Sequence, residues 1–156
     1  MCNEPASGVR RWADVSTSLA KKLRHITDKP ITLCTPNGHV KHLPRFARLC
    51  ERKEIDNLIY QAHFYHSGRL NEKIIKRQLR EVRKTARRGY EVYIGEVGSN
   101  VEKNSPEYIA EFFQITLGLL ERWGCHWTVH AYNESRLFNY EDTPAMEVIE
   151  SFKQLR

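Results

Sequence analysis

No apolar run in this 156-residue chain approaches the roughly 18 residues that a membrane-spanning helix needs. No CxxC pair occurs: Cys2, Cys34, Cys50 and Cys125 are scattered, which argues against a zinc ribbon or a redox motif and for free, buried thiols. There is no repeat and no low-complexity tract. The first residues show no charged segment followed by an apolar stretch, so no secretory signal is visible; a leader would have to lie upstream of Met1. Acidic residues are outnumbered, 19 against 25 Lys and Arg, giving a net charge of +6. Much of the excess lies in one segment, where Lys73, Lys76, Arg77, Arg80, Arg83, Lys84, Arg87 and Arg88 fall within 16 positions. What remains, 40% hydrophobic and 28% charged residues, is the composition of an ordinary folded domain long enough to bury a core.

Helical and strand patterns alternate. Val9, Trp12, Val15, Leu19, Leu23 and Ile26 recur at three- and four-residue steps, predicting a helix that buries this stripe. "KPITLCTP" is a short β-type run bounded by prolines, residues 42–53 form a second helix, and "IDNLIYQAHFY" a second strand. Ile75, Leu79, Val82 and Ala86 give another helical stripe, ended near Gly89. "YEVYIGEVG" is the third strand. Ser105-Pro106 is a helix start, with Ser as N-cap and Pro at the first helical position, and Gly124 fits its stop. "CHWTVHAY" is the last strand, and Thr143-Pro144 opens a helix reaching the C-terminus. Strands separated by helices indicate βαβ units and a parallel sheet. A full (β/α)8 barrel takes about 250 residues, roughly 31 per unit, so this chain holds about five units. We expect a single α/β domain over residues 1–156, a partial (β/α)8 barrel.

In such folds chemistry collects at the C-terminal ends of strands. Alternation places His63 and Tyr65 on one face and Phe64 on the other. Glu96, between Gly95 and Val97-Gly98, is poorly explained by packing. It lies 92 residues after Glu4, close to three βα units. If Glu4 ends one strand, Glu96 ends the strand three further along, across the barrel mouth. Two carboxylates across a small mouth are what glycosidic cleavage needs: one, protonated, protonates the leaving oxygen, and the other attacks the anomeric carbon.

"NEP" closing a strand, then "HFY", "GEVG" and a Trp-bearing last strand, in that order and spacing, resemble glycoside hydrolase family 5 or a near relative, the cellulase-like group of the clan A retaining glycosidases. The resemblance covers nearly the whole chain, from that family's fourth strand through its eighth helix. It implies hydrolysis of β-linked oligo- or polysaccharides with no cofactor, two carboxylates and a water sufficing. It implies that Asn3 hydrogen-bonds the sugar 2-hydroxyl, that Glu4 is the general acid/base and Glu96 the nucleophile, and that His63 and Tyr65 line the site, Tyr65 orienting the nucleophile. Secretion is usual for such hydrolases.

The last strand departs from the family's W-x-x-W. Here the spacing gives Trp127-Thr128-Val129-His130, so either Trp127 stacks on the sugar, the reading preferred here, or His130 has replaced the platform. A core Trp between strand and helix is the competing role for Trp127; Tyr132 offers another stacking surface. The Arg and further His that the family's first three strands would carry have no counterpart here. A partial barrel leaves parallel edges unpaired, so a homo-oligomer or a missing N-terminal half-barrel is expected. An inactive carbohydrate-binding relic is the alternative. The basic segment, with its apolar stripe packed on the sheet and no interleaved aromatics, is read as a solvated face and not as a nucleic-acid surface. The pairs His63/His66 and His126/His130 have helical metal-ligand spacing but fall on strands, which argues against a metal site. No membrane partner is expected.

Overall fold

The predicted alternation is what the computed structural model contains. It describes residues 3–131 and 138–153; Cys2, Tyr132 and the helical continuation expected at the C-terminus lie outside the described residues. The elements are α1 (Val9–Arg24), β1 (Ile31–His39), a 3-10 turn (Val40–His42), α2 (Leu43–Glu51), β2 (Leu58–Tyr65), α3 (Glu72–Gln78), α4 (Arg80–Ala86), β3 (Glu91–Gly98), α5 (Pro106–Arg122), β4 (His126–Val129) and α6 (Pro144–Lys153). The fold is α/β, with a parallel four-stranded sheet in the order β1-β2-β3-β4. Among the described residues no helix is long and apolar enough to cross a membrane.

The strand that the opening residues are expected to close would lie before the described residues, which begin at Asn3. Residues 3 and 4 form a bend with Glu4 at φ 45°, followed by Pro5. Pro5 is buried, and its carbonyl accepts from Asn37 N at 3.1 Å.

Contacts divide the chain into two compact units, Met1–His63 with Glu81–Tyr93, and Phe64–Arg80 with Ile94–Arg156. In the first, α1 packs on β1 and α2, but with a different face from the one its apolar stripe predicts. Trp12, Ala13, Ser16, Thr17 and Ala20 are buried, whereas Val15, Leu19, Leu23 and Ile26 are 44%, 43%, 37% and 83% exposed. Small residues let the helix approach closely, and their polarity is no obstacle. The Thr17 and Ser16 hydroxyls donate back to the Ala13 carbonyl at 2.5 and 3.3 Å, which removes the penalty for burying them. The Trp12 indole N–H, donating to the Cys34 carbonyl at 2.7 Å, fixes the rotation.

β1 pairs with β2 in the register Ile31↔Leu58 through Cys34↔Gln61, then shifts so that His39 meets His63. The shift absorbs Pro36, which cannot serve a regular ladder. It also creates a turn in which Asn37 and Gly38 both take positive φ, 51° and 64°. Tyr60 of β2 packs edge-on to Phe46 of α2 and to Tyr90.

The stripe from Ile75 to Ala86 is broken into α3 and α4 at Leu79, whose backbone leaves the helical region (ψ 9°) while its side chain stays fully buried. All eight basic residues of the segment are exposed.

In the second unit, Ser105 Oγ caps α5 by accepting from Tyr108 N at 3.3 Å, and Pro106 occupies its first turn. Gly124, at φ 66°, lets Cys125 N reach back to the Leu120 carbonyl and close the helix. Phe112, Phe113, Leu117, Leu119 and Leu120 of α5, with Tyr140, Ile149 and Phe152, form its core. Cys34, Cys50 and Cys125 are buried.

Candidate active site

Each expected carboxylate has a partner on β2. In the first unit Glu4 Oε1 lies 2.8 Å from Nδ1 of His63. The imidazole is almost wholly buried, its side chain 3% exposed against 50% for the carboxylate. Its other nitrogen faces Gln61 Nε2 at 3.0 Å. An amide nitrogen only donates, so His63 Nε2 accepts and Nδ1 carries the proton offered to Glu4. Gln61 and His63 share a face of β2 because they are two residues apart. The Asn37-Gly38 turn closes over this pair: a Cβ at Gly38 would meet His63 Nδ1 at 2.7 Å and Glu4 Oε1 at 3.0 Å.

In the second unit the Tyr65 hydroxyl donates to Glu96 Oε2 at 2.6 Å, a short O–H···O bond. Phe64 turns the other way and stacks on Phe112 of α5, ring centres 6.1 Å apart. Gly98 is to Tyr65 what Gly38 is to His63. A Cβ there would meet a Tyr65 ring carbon and the His130 carbonyl, both at 2.8 Å. The end of β3 is clamped by Tyr140, whose hydroxyl accepts from Ser99 N and donates to the Ser99 carbonyl, both at 2.9 Å. Burial pushes this phenol up to about 12.

Trp127 is placed differently from the expectation that it stacks on substrate. It is 9% exposed, and its indole N–H donates to Glu121 Oε1 of α5 at 2.5 Å. It thus packs between strand and helix, the competing role considered for it. His130, half-buried, stands instead beside Tyr65, ring centres 6.0 Å apart, and Phe138 meets both rings at 5.3 Å. Asn3 is exposed, next to Glu4. Phe138, Gln61 and the two glycines were missed by sequence reasoning. Gln61 was accessible to it through the two-residue period, and Asn37-Gly38 as a turn dipeptide.

The histidine pairs have separate partners. His63 faces Glu4, while His66, 5% exposed, lies flat against Tyr108 and Phe112, the ring planes inclined at 6° and 13°.

The family model for cellulase, glycosyl hydrolase family 5, matches residues 1–136. Solved structures with this fold include an endo-β-1,4-glucanase from Xanthomonas axonopodis pv. citri, at 14% identity and a TM-score of 0.79, covering 97% of this chain and 57% of that one. A family 5 xyloglucanase from Paenibacillus pabuli aligns at 12% identity and 0.71, covering 99% and 57%. A family 5 xyloglucan-specific endo-β-1,4-glucanase from a metagenomic library, in complex with cellotriose, aligns at 15% and 0.71, covering 94% and 52%. At these identities the likeness shows the fold: the chain is a partial barrel spanning a little over half the length of these neighbours. No curated protein matches it.

Proposed function

Because the chain belongs to glycosyl hydrolase family 5, we propose that it hydrolyses O-glycosidic bonds of β-linked glycans by a retaining double displacement. Glu96 attacks the anomeric carbon as Glu4 passes its proton to the departing oxygen, leaving a glycosyl ester on Glu96. Glu4, now ionised, takes a proton from water, whose oxygen attacks the same carbon and releases Glu96. The observation that carries the reading is the matched pairing on β2, His63 with Glu4 at 2.8 Å and Tyr65 with Glu96 at 2.6 Å. His63 holds the acid/base by its Nδ1–H. Tyr65 orients the nucleophile, and its hydroxyl stabilises the carboxylate that is regenerated when the ester is cleaved. Asn3, beside Glu4, binds the sugar 2-hydroxyl. His130 flanks Tyr65 in the place left by Trp127. The chemistry takes no cofactor.

The neighbours named as endo-β-1,4-glucanases and a xyloglucanase support a β-1,4-glucan as the substrate class. We treat residues 1–156 as one partial catalytic domain, completed by further copies or by an N-terminal half-barrel. A second reading, a sugar-binding relic without turnover, is favoured by the coverage of only 57% of the first neighbour.

The test is hydrolysis of an aryl β-cellobioside, with the anomer first released followed by NMR. Turnover giving the β-anomer, lost in Glu96→Ala, is the expected result. Sugar binding without turnover in the parent chain would leave the relic. Turnover surviving in Glu96→Ala would remove Glu96 from its role.

A further inference from the structure

A cavity of about 490 Å³ opens at the N-terminal ends of β2 and β3, within the first unit. Leu58 and Tyr60, which line it, stand five and three residues before His63. It therefore lies roughly 10–17 Å along β2 from that histidine, away from the strand ends where chemistry collects in this fold. Its volume is that of a small-molecule site, about 300–1,000 Å³. Four carboxylates are in the lining, those of Glu51, Glu54, Asp56 and Glu91, and no Lys, Arg or His. Arg24 is close by, donating to the Asp56 and Asn57 carbonyls at 2.8 and 3.4 Å. Arg48 and Arg88 act on Tyr90 from outside the lining.

Exposed carboxylates alone are ordinary surface; Tyr60 sets this group apart. It is 4% exposed, its ring fixed edge-on between Phe46 and Tyr90. Its hydroxyl has no hydrogen-bond partner among the described residues. Nor is that oxygen one of the polar atoms sealed from solvent, so it faces the open space that Tyr60 lines. Burial, with Cys50, Tyr90 and Glu51 adding to it, pushes the phenol up, so the hydroxyl stays neutral and its oxygen is open as an acceptor. Tyr90 differs, because its hydroxyl is spent on Glu51 Oε2 at 2.6 Å. The Glu54 and Asp56 carboxylates have no partner among the described residues. The cavity thus offers acceptors and negative charge and asks for a donor that is positive.

We propose that this cavity binds a linear organic polyamine, one ammonium group donating to the Tyr60 hydroxyl oxygen and others to Glu54 and Asp56. A bare metal ion does not fit. Among the described residues, no three of the lining carboxylates bring ligand atoms within 4.8 Å of one another, and a divalent cation needs its oxygens gathered at about 2.0–2.6 Å. Separated carboxylates match separated charges on one chain. The methylenes between those charges meet Ile55 and Leu58, which are also in the lining. Tyr60 and Tyr90, ring centres 5.6 Å apart at 84°, add aromatic surface of the kind that attracts a cation. The site stands on the first unit alone and does not depend on the glycosidase reading.

The test is calorimetric titration of the full chain with spermidine, a linear triamine, at low ionic strength, where charge is least screened. The parent binds it saturably, one molecule per chain. Tyr60→Phe keeps the ring and its contacts and weakens binding about tenfold, the worth of a hydrogen bond to a charged group. Its urea midpoint does not fall, because the deleted hydroxyl bonds to nothing in the fold. If Tyr60→Phe proves unfolded by circular dichroism, the Glu54→Gln/Asp56→Asn double variant decides, because both side chains are exposed; it too weakens binding about tenfold. The proposal is overturned by a parent without saturable binding, or by unchanged affinity in a folded variant. It is also overturned by calcium chloride binding as tightly as spermidine, which would reduce the cavity to an acidic patch. A lowered midpoint in Tyr60→Phe with spermidine affinity unchanged would leave the hydroxyl a structural role and overturn it as well.

Discussion

Replacing Gly98 by Ala adds one methyl group between Tyr65 and the His130 carbonyl, each 2.8 Å from where it would lie. Gly98 is not in the left-handed region, so alanine carries no backbone penalty and the effect is steric. Ordinary side-chain contact begins near 3.4 Å, so about 0.6 Å must be found. The His130 carbonyl is main chain, and its own N–H is tied to Val97 O at 3.0 Å. Tyr65 is 40% exposed and is therefore the group that moves. Its hydroxyl starts 2.6 Å from Glu96, and a displacement of that size takes it past the roughly 3.0 Å limit of a good O–H···O bond. A hydrogen bond to a charged group is worth about 1.5–3 kcal/mol, and about 1.4 kcal/mol is a decade. Gly98→Ala should therefore lower kcat/KM on an aryl β-cellobioside by roughly ten- to a hundredfold, with about 1–3 kcal/mol of lost stability in urea. Tyr65→Phe should lose about as much activity, and the double variant no more than Tyr65→Phe, because both break one bond. Parent-like activity in Gly98→Ala, or a double variant falling by the product of the singles, would refute the reasoning.

Trp127→Phe should lower stability by about 2 kcal/mol through loss of the bond to Glu121, while oligosaccharide affinity stays within about twofold; a sugar-stacking Trp would lose both. Leu19→Lys with Leu23→Lys, on the exposed stripe of α1, should leave the urea midpoint nearly unchanged, each within about 0.5 kcal/mol, and reduce self-association in size-exclusion chromatography; a large drop in midpoint would show that this face is covered. Alkali should destabilise the fold. Burial raises the thiols of Cys50 and Cys125 from 9.0 to about 12 and about 11, so above pH 9 the unfolded chain releases protons that the folded one retains, and stability falls as pH rises. Two such thiols should remove roughly 3 kcal/mol between pH 8 and pH 10, read as a shift in urea midpoint; equal midpoints would show that the thiols are not protected.

Element types were legible because period and caps are local: Ser105-Pro106 and Gly124 delimit α5 by the groups a helix end leaves open. The buried face of α1 was not. Hydrophobicity selects Val15, Leu19 and Leu23, but close approach to β1 and α2 selects Ala13, Ser16, Thr17 and Ala20, and nothing local says which criterion wins. In the site, strand alternation suffices to put His63 and Tyr65 on one face of β2. It does not tell which face of the last strand meets a helix, and Trp127 went to α5. Phe138 reaches Tyr65 from beyond the last strand, a contact that no period encodes.

Glu4 sits in a bend outside any helix or strand, held by its contact with His63 and by the bond from Asn37 N to the Pro5 carbonyl. Such tethers sum to about 2–4 kcal/mol, below the usual free energy of global unfolding. The bend at Glu4 therefore opens before the sheet on warming. In an enzyme built this way heat would silence catalysis reversibly, several degrees before circular dichroism registers any change, and cooling would restore it without refolding.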